Sequence, residues 1–121
     1  MRKKIFMLGL VMILSLIGVS SAFAATNFAY VSPSTLYDTA APVTGKGQYG
    51  RYGLEVTKGQ VRIILSEDNG NGVWNNVHDF TLFTKAKDSH YVDYWMKNGS
   101  RYSITLIALP DTELGVGYVR D

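Results

Sequence analysis

Side chains alternate between apolar and polar residues along most of the chain after residue 24. Successive side chains of a β-strand point to opposite faces, so a period of two is typical of strands that bury one face. No window of 11 or more residues in this region has the spacing of an amphipathic helix. The alternation therefore predicts an all-β domain.

Short runs rich in Tyr, Val, Ile, Thr, Phe and Trp are separated by Gly, Asn, Asp and Lys, of which Gly, Asn and Asp favour turns. These runs predict strands at Phe28–Val31, Arg51–Val56, Val61–Ser66, Asp79–Thr84, Tyr91–Met96, Tyr102–Ala108 and Gly115–Arg120. Short strands at such spacing indicate a two-sheet antiparallel β-sandwich, of jelly-roll or immunoglobulin-like type. Residues 32–47, with Pro33 and Pro42, are expected to form a long connection or to cover an edge.

Neighbouring strands must place inward residues opposite one another, and this condition predicts three hairpins. Their loops are expected at residues 57–60, 85–89 and 97–101, whereas residues 67–78 are expected to cross between the sheets. The inward residues form the predicted core, which consists of Tyr52, Leu54, Val56, Val61, Ile63, Leu65, Phe80, Leu82, Val92, Tyr94, Ile104 and Leu106.

One outward face of the predicted sandwich has the composition of a binding surface. Burial of Asp93 would carry a large desolvation penalty, so Asp93 is expected to face solvent together with Tyr91 and Trp95. The hairpins described above place two further strands beside this one. The candidate ligand-binding residues are Tyr91, Asp93, Trp95, Phe83, Thr81, Thr105 and Ile107.

Aromatic rings stack on the apolar side of a sugar ring, while hydroxyls and a carboxylate bind its hydroxyl groups. This face therefore predicts binding of a glycan or another cell-envelope polymer. Two alternatives remain open for it. Residues 32–47 could cover the face as a second small core, or Phe83, Tyr91 and Trp95 could mediate self-association.

Residues 1–24 have the pattern of an export signal. A basic head at residues 2–4 precedes an apolar run from Ile5 to Ile17, and an Ala-x-Ala pattern ends at Ala24. The run is short for a membrane span, so cleavage after Ala24 is expected. The sequence thus predicts a secreted, extracellular protein whose single domain spans residues 25–121 and has no membrane span after cleavage. The absence of cysteine from an exported chain favours a bacterial source.

Loss of the signal changes the sign of the formal charge. The chain has 12 basic and 10 acidic residues and a net charge of +2, but three of the basic residues lie in residues 2–4. Nine basic residues then remain against ten acidic ones, which gives a net charge of −1. The balance argues against nucleic acid as a partner.

Signals for catalysis and for metal binding are weak. The chain has no cysteine and only two histidines, His78 and His90, and no nucleophile, base and orienting acid are brought together by spacing. Residues 67–72 resemble the start of an EF-hand calcium loop, but His78 stands where the loop needs its glutamate, so a turn is favoured and calcium binding stays open.

The sequence therefore predicts a secreted binding module that is not an enzyme and needs no cofactor. The first alternative is an antimicrobial or toxin-like protein, since a small size and an amphipathic β surface are compatible with one. The second alternative is an inhibitor of an extracellular enzyme, which would present the loop at residues 67–72.

Overall fold

The computed structural model describes residues 25–121, so the predicted signal peptide lies outside the described residues. Eight strands form two antiparallel sheets that pack face to face, which confirms the predicted two-sheet β-sandwich. The strands are β1 (Thr26–Val31), β2 (Tyr37–Thr39), β3 (Val43–Thr44), β4 (Gln48–Asp68), β5 (Trp74–Thr84), β6 (Asp88–Met96), β7 (Arg101–Ala108) and β8 (Leu114–Arg120). Among these residues, no helix is long and apolar enough to cross a membrane.

The first sheet has the order β1-β8-β4-β6 and uses the first half of β4, residues 48–58. The second sheet has the order β5-β4-β7-β2, uses residues 59–68 of β4, and has β3 beside the start of β7. The long strand β4 is therefore shared by the two sheets. The β6 and β5 strands lie at the edges of the two sheets.

The β4 strand spans 21 residues and passes from one sheet to the other near its centre. The pairing with β8 shifts in register between Val56 and Lys58. Gly59 follows with a φ of 120°, a left-handed value that favours glycine. The two halves of β4 pair with different strands, so the hairpin predicted around residues 57–60 is wrong.

The other two predicted hairpins are also wrong, for the same reason. The β6 strand pairs with the first half of β4, whereas β5 and β7 pair with the second half. Residues 85–87 and 97–100 therefore connect different sheets. Residues 67–78 are not the predicted crossing between the sheets, because they consist of the end of β4, a turn at residues 69–73 and the start of β5, which pairs with β4 in one sheet.

The predicted core is confirmed although the predicted pairing is not. Eight of its twelve residues are at most 1% exposed, and Phe80, Leu82, Val92 and Tyr94 pack partly buried against them. Inward residues that were predicted to be hairpin partners lie on different sheets and face each other across the sandwich. The rings of Tyr52 on β4 and Phe80 on β5 are centred 5.5 Å apart.

Residues 32–47 extend the second sheet at its edge. They contain β2 and β3, which both pair with β7. The Asp38 carboxylate accepts a hydrogen bond from the Tyr30 main-chain N–H at 2.8 Å, which links this edge to β1. The segment therefore covers an edge, and it does not bury Tyr91 or Trp95, which are 52% and 51% exposed.

Candidate functional site

The outward side of the first sheet, hereafter the first outer face, has six aromatic side chains among the described residues. They are Phe28, Tyr30, Tyr49, Tyr91, Trp95 and Tyr118. Phe28, Tyr30 and Tyr118 pack in a small apolar cluster on the β1 and β8 side. The rings on the β4 and β6 side remain open to solvent, with Tyr49 67% exposed.

Tyr49 and Trp95 form the most exposed part of this face. They are register partners on β4 and β6, and their ring centroids lie 5.3 Å apart at an interplanar angle of 85°. This edge-to-face contact leaves much of both rings accessible and fixes them relative to each other.

Arg51 is held between two side chains of β6. Its Nε donates a hydrogen bond to Asp93 Oδ1 at 2.7 Å, and its guanidinium carbon lies 3.8 Å from the centroid of the Tyr91 ring. The hydrogen bond to Asp93 raises the pKa of Arg51. A charged pair of defined geometry therefore stands between the exposed rings of Tyr91 and Trp95.

Tyr118 connects the two halves of the first outer face. It is a register partner of Gly53, and its ring occupies the space that a side chain at residue 53 would need. Burial raises the pKa of the Tyr118 hydroxyl, and the charges of Arg51 and Arg120 partly oppose this rise. The hydroxyl thus lies within the electrostatic reach of the Arg51–Asp93 pair.

The structure separates the predicted site residues into two groups. Tyr91, Asp93 and Trp95 lie together on the first outer face. The other four point outward from β5 and β7 of the second sheet, on the opposite side of the sandwich: Phe83, Thr81, Thr105 and Ile107. A single face that contains all seven is wrong, because β6 does not lie between β5 and β7. The ligand-binding role of each group stays a prediction.

The same correction applies to the predicted surface for self-association. Phe83 is 64% exposed on the second sheet, so it cannot share one surface with Tyr91 and Trp95. The residues near Trp95 that sequence reasoning missed are Tyr49, Arg51, Gly53 and Tyr118. Alternation along β4 places Tyr49, Arg51 and Gly53 on the outward side, but their pairing with β6 was needed to join them to Trp95.

The loop with a partial calcium-binding pattern has another role in the structure. Asp68 Oδ1 accepts hydrogen bonds from the main-chain N–H groups of Gly70 and Gly72 at 2.9 and 3.1 Å, and Oδ2 accepts one from Arg101. The carboxylate therefore organises the turn. Within residues 25–121, no group of three or more His, Cys, Asp or Glu side chains is placed to hold a metal ion.

Both histidines pack against aromatic rings. His78 Nδ1 shares a hydrogen bond with the hydroxyl of Tyr52, and the His90 ring meets that of Phe80 edge-to-face at 4.9 Å. These contacts lie between the edges of the two sheets, away from the first outer face.

No protein-family model matches the sequence, and no curated protein is similar to it in sequence. Similar solved structures include Eiger TNF from S. frugiperda, at 13% identity over 81% of this chain and 91% of that one, with a TM-score of 0.41. Murine APRIL is similar at 10% identity over 80% of this chain and 100% of that one, with a TM-score of 0.41. TmCBM61 in complex with β-1,4-galactotriose is similar at 10% identity over 83% of this chain and 88% of that one, with a TM-score of 0.42. Identities this low assign no function.

Proposed function

We propose that this chain is an exported, non-enzymatic binding module that holds a glycan or a related envelope polymer on its first outer face. The observation that carries the proposal is the arrangement of Tyr49, Tyr91 and Trp95 around the Arg51–Asp93 ion pair. Exposed rings that are clustered on one face of a small protein are typical of an interaction site.

The chemistry of this face suits a sugar. The exposed surfaces of Tyr49 and Trp95, and the part of the Tyr91 ring that Arg51 does not cover, offer an apolar surface to the C–H side of a pyranose. The guanidinium and carboxylate offer donors and acceptors to its hydroxyls. Arg51 and Asp93 already hold each other in place at 2.7 Å. A ligand therefore meets groups whose orientation is set in advance, which lowers the entropic cost of binding.

The spacing of the rings favours an extended ligand. Tyr91 and Trp95 stand four residues apart on the same side of β6, which corresponds to about 13 Å along a strand. A single sugar ring is too short to contact both. A polymer that runs parallel to β6 would contact Trp95, the ion pair and Tyr91 in succession.

Retention of the purified protein on insoluble polymers tests the proposal. The probes are microcrystalline cellulose, colloidal chitin and isolated bacterial cell walls. Trp95→Ala is expected to weaken retention by about thirtyfold or more, because truncation of an aromatic hot spot costs about 2 kcal/mol or more. Its thermal stability should change little, since the ring is 51% exposed.

Tyr37→Ala is the matched control, because Tyr37 is 63% exposed but lies on the second sheet. It should be retained like the unmodified protein. Absence of retention on all three polymers would overturn the proposal. Inhibition of bacterial growth without retention would favour the toxin-like alternative instead.

Export is part of the proposal and has its own test. Intact-mass measurement of protein from culture supernatant should give the mass of a chain that begins at Ala25. Protein found only in the membrane fraction at the full mass of 13.4 kDa would contradict it.

A further inference from the structure

The second sheet has its own cluster of an arginine, a carboxylate and an exposed aromatic ring. Arg101, Asp68 and Trp74 are register partners on β7, β4 and β5, so their side chains lie in one row on the outward side. The guanidinium carbon of Arg101 lies 5.3 Å from the centroid of the Trp74 ring. One of its nitrogens donates to Asp68 Oδ2, and Trp74 is 39% exposed.

This cluster repeats the construction of the first outer face. There Arg51 is fixed by Asp93 and lies over Tyr91, and here Arg101 is fixed by Asp68 and lies over Trp74. In both places a carboxylate sets the orientation of a guanidinium beside a ring that remains open to solvent.

A role in fold stability explains the position of Asp68 in the second cluster but does not explain the exposed ring of Trp74. Asp68 is fully buried and holds the turn after β4 through Gly70 and Gly72, which is a structural role. An exposed ring at the first residue of an edge strand contributes little to the core. A polar pair follows Trp74 on the same face, since the hydroxyl of Ser66 donates a hydrogen bond to Oδ1 of Asn76 at 3.0 Å.

The two clusters lie on opposite faces but at the same end of the sandwich. Trp95 is the second-to-last residue of β6, and Arg101 is the first residue of β7. Residues 97–100 join these two strands. Two packed sheets are about 10 Å apart, and the side chains of the two clusters point outward from opposite sheets. A ligand that lies on one face therefore leaves the other face accessible.

We propose that Trp74, with Arg101 and the neighbouring Asn76, forms a second glycan-binding site, which makes the protein bivalent. This inference rests on the proposed function, because it assigns the same class of ligand to a second cluster of the same construction. A bivalent module links separate polymer chains and gains avidity on a surface with many repeats.

Particle agglutination tests bivalency. Suspended cellulose, colloidal chitin and isolated cell walls are mixed with the protein, and clumping is followed by light scattering. The unmodified protein and Tyr37→Ala should agglutinate the particles that retain them. Trp74→Ala should still be retained on these particles but should no longer agglutinate them.

Tryptophan emission gives a second test that does not depend on particles. The chain has two tryptophans, one in each cluster. Trp95→Phe leaves Trp74 as the sole reporter, and the probe is the soluble fragments released by partial hydrolysis of the polymer that retains the protein. A saturable change in Trp74 emission is expected.

The outcomes separate the two proposals. Retention without agglutination, agglutination by Trp74→Ala, or unchanged Trp74 emission in Trp95→Phe would each overturn the second site and leave the first intact. Absence of retention on every polymer would overturn both.

Discussion

The ring of Tyr118 stands where a side chain at Gly53 would otherwise be. A Cβ on Gly53 would lie 2.7 Å from Cε1 of Tyr118 and 2.8 Å from its hydroxyl oxygen. The absence of a side chain at Gly53 therefore allows close packing, because the Tyr118 ring of β8 extends over β4 toward β6. This contact connects the partly buried aromatic cluster of the first outer face to its exposed rings.

Gly53→Ala should displace the Tyr118 ring and disturb the first outer face. We expect a loss of about 1–3 kcal/mol in the free energy of unfolding, as for other overpacked sites, and a severalfold loss of polymer retention. Gly117→Ala is the control, because its Cβ would meet Leu106 Cδ2 at 2.7 Å on the inward side. It should lower stability and leave retention unchanged. Equal retention by unmodified protein and Gly53→Ala would contradict the role given to this contact.

Ile63→Ala and Leu106→Ala should each destabilise the protein by about 2–5 kcal/mol. Both side chains have no exposed surface and belong to the same core cluster. The loss is a large share of the stability of so small a domain. Urea unfolding measures it, and shifts below about 0.5 kcal/mol at both sites would show that the inward face is misassigned.

The sequence predicted which residues point inward because burial imposes alternation on every strand, whatever its neighbours are. Leu54 and Ile63 point inward if their segment forms a hairpin, and they also point inward if it forms one strand that bends from one sheet into the other. Alternation therefore could not distinguish the two arrangements. The turn signal at Lys58 and Gly59 was real, but it marks a bend within β4 and not the end of a hairpin.

Alternation gives the direction of side chains but not the pairing of strands, and this also limited how much of the site could be predicted. Tyr91, Asp93 and Trp95 lie on one strand, so their common face followed from parity alone. Which strands lie beside β6 depends on long-range pairing, which no short-range pattern in this chain specifies. Phe83 was therefore assigned to the wrong side of the sandwich, and Arg51 was not joined to Asp93.

Arg51→Lys should weaken polymer retention without unfolding the protein. A lysine can approach Asp93, but it lacks the planar guanidinium group. Only a guanidinium can bond the Asp93 carboxylate and stack on the Tyr91 ring at the same time. Exposed ion pairs contribute about 0–1 kcal/mol, so the melting temperature should change little.

Arg62→Lys is the control for this substitution. Arg62 forms a comparable exposed pair with Asp79, at 2.9 Å, on the outward side of the second sheet. It should leave retention unchanged. If both variants lose retention equally, the loss is not specific to Arg51, and its geometry beside Asp93 and Tyr91 does not explain the loss.

Asp68 should make the protein sensitive to acid. The hydrogen bond from Arg101, followed by that from the Gly70 N–H, lowers the pKa of Asp68 in the folded state. Folding then favours the ionised carboxylate, so its stabilisation is complete above the unfolded pKa of about 3.9 and is lost as the pH falls through the folded pKa. Asp68→Asn should therefore have a lower melting temperature at pH 7, and its melting temperature should fall less than that of the unmodified protein below about pH 4.

Asp111→Asn, in the exposed turn after β7, is the control and should match the unmodified protein at pH 7. An equal acid-induced fall in Asp68→Asn and the unmodified protein would show that another group controls the acid response.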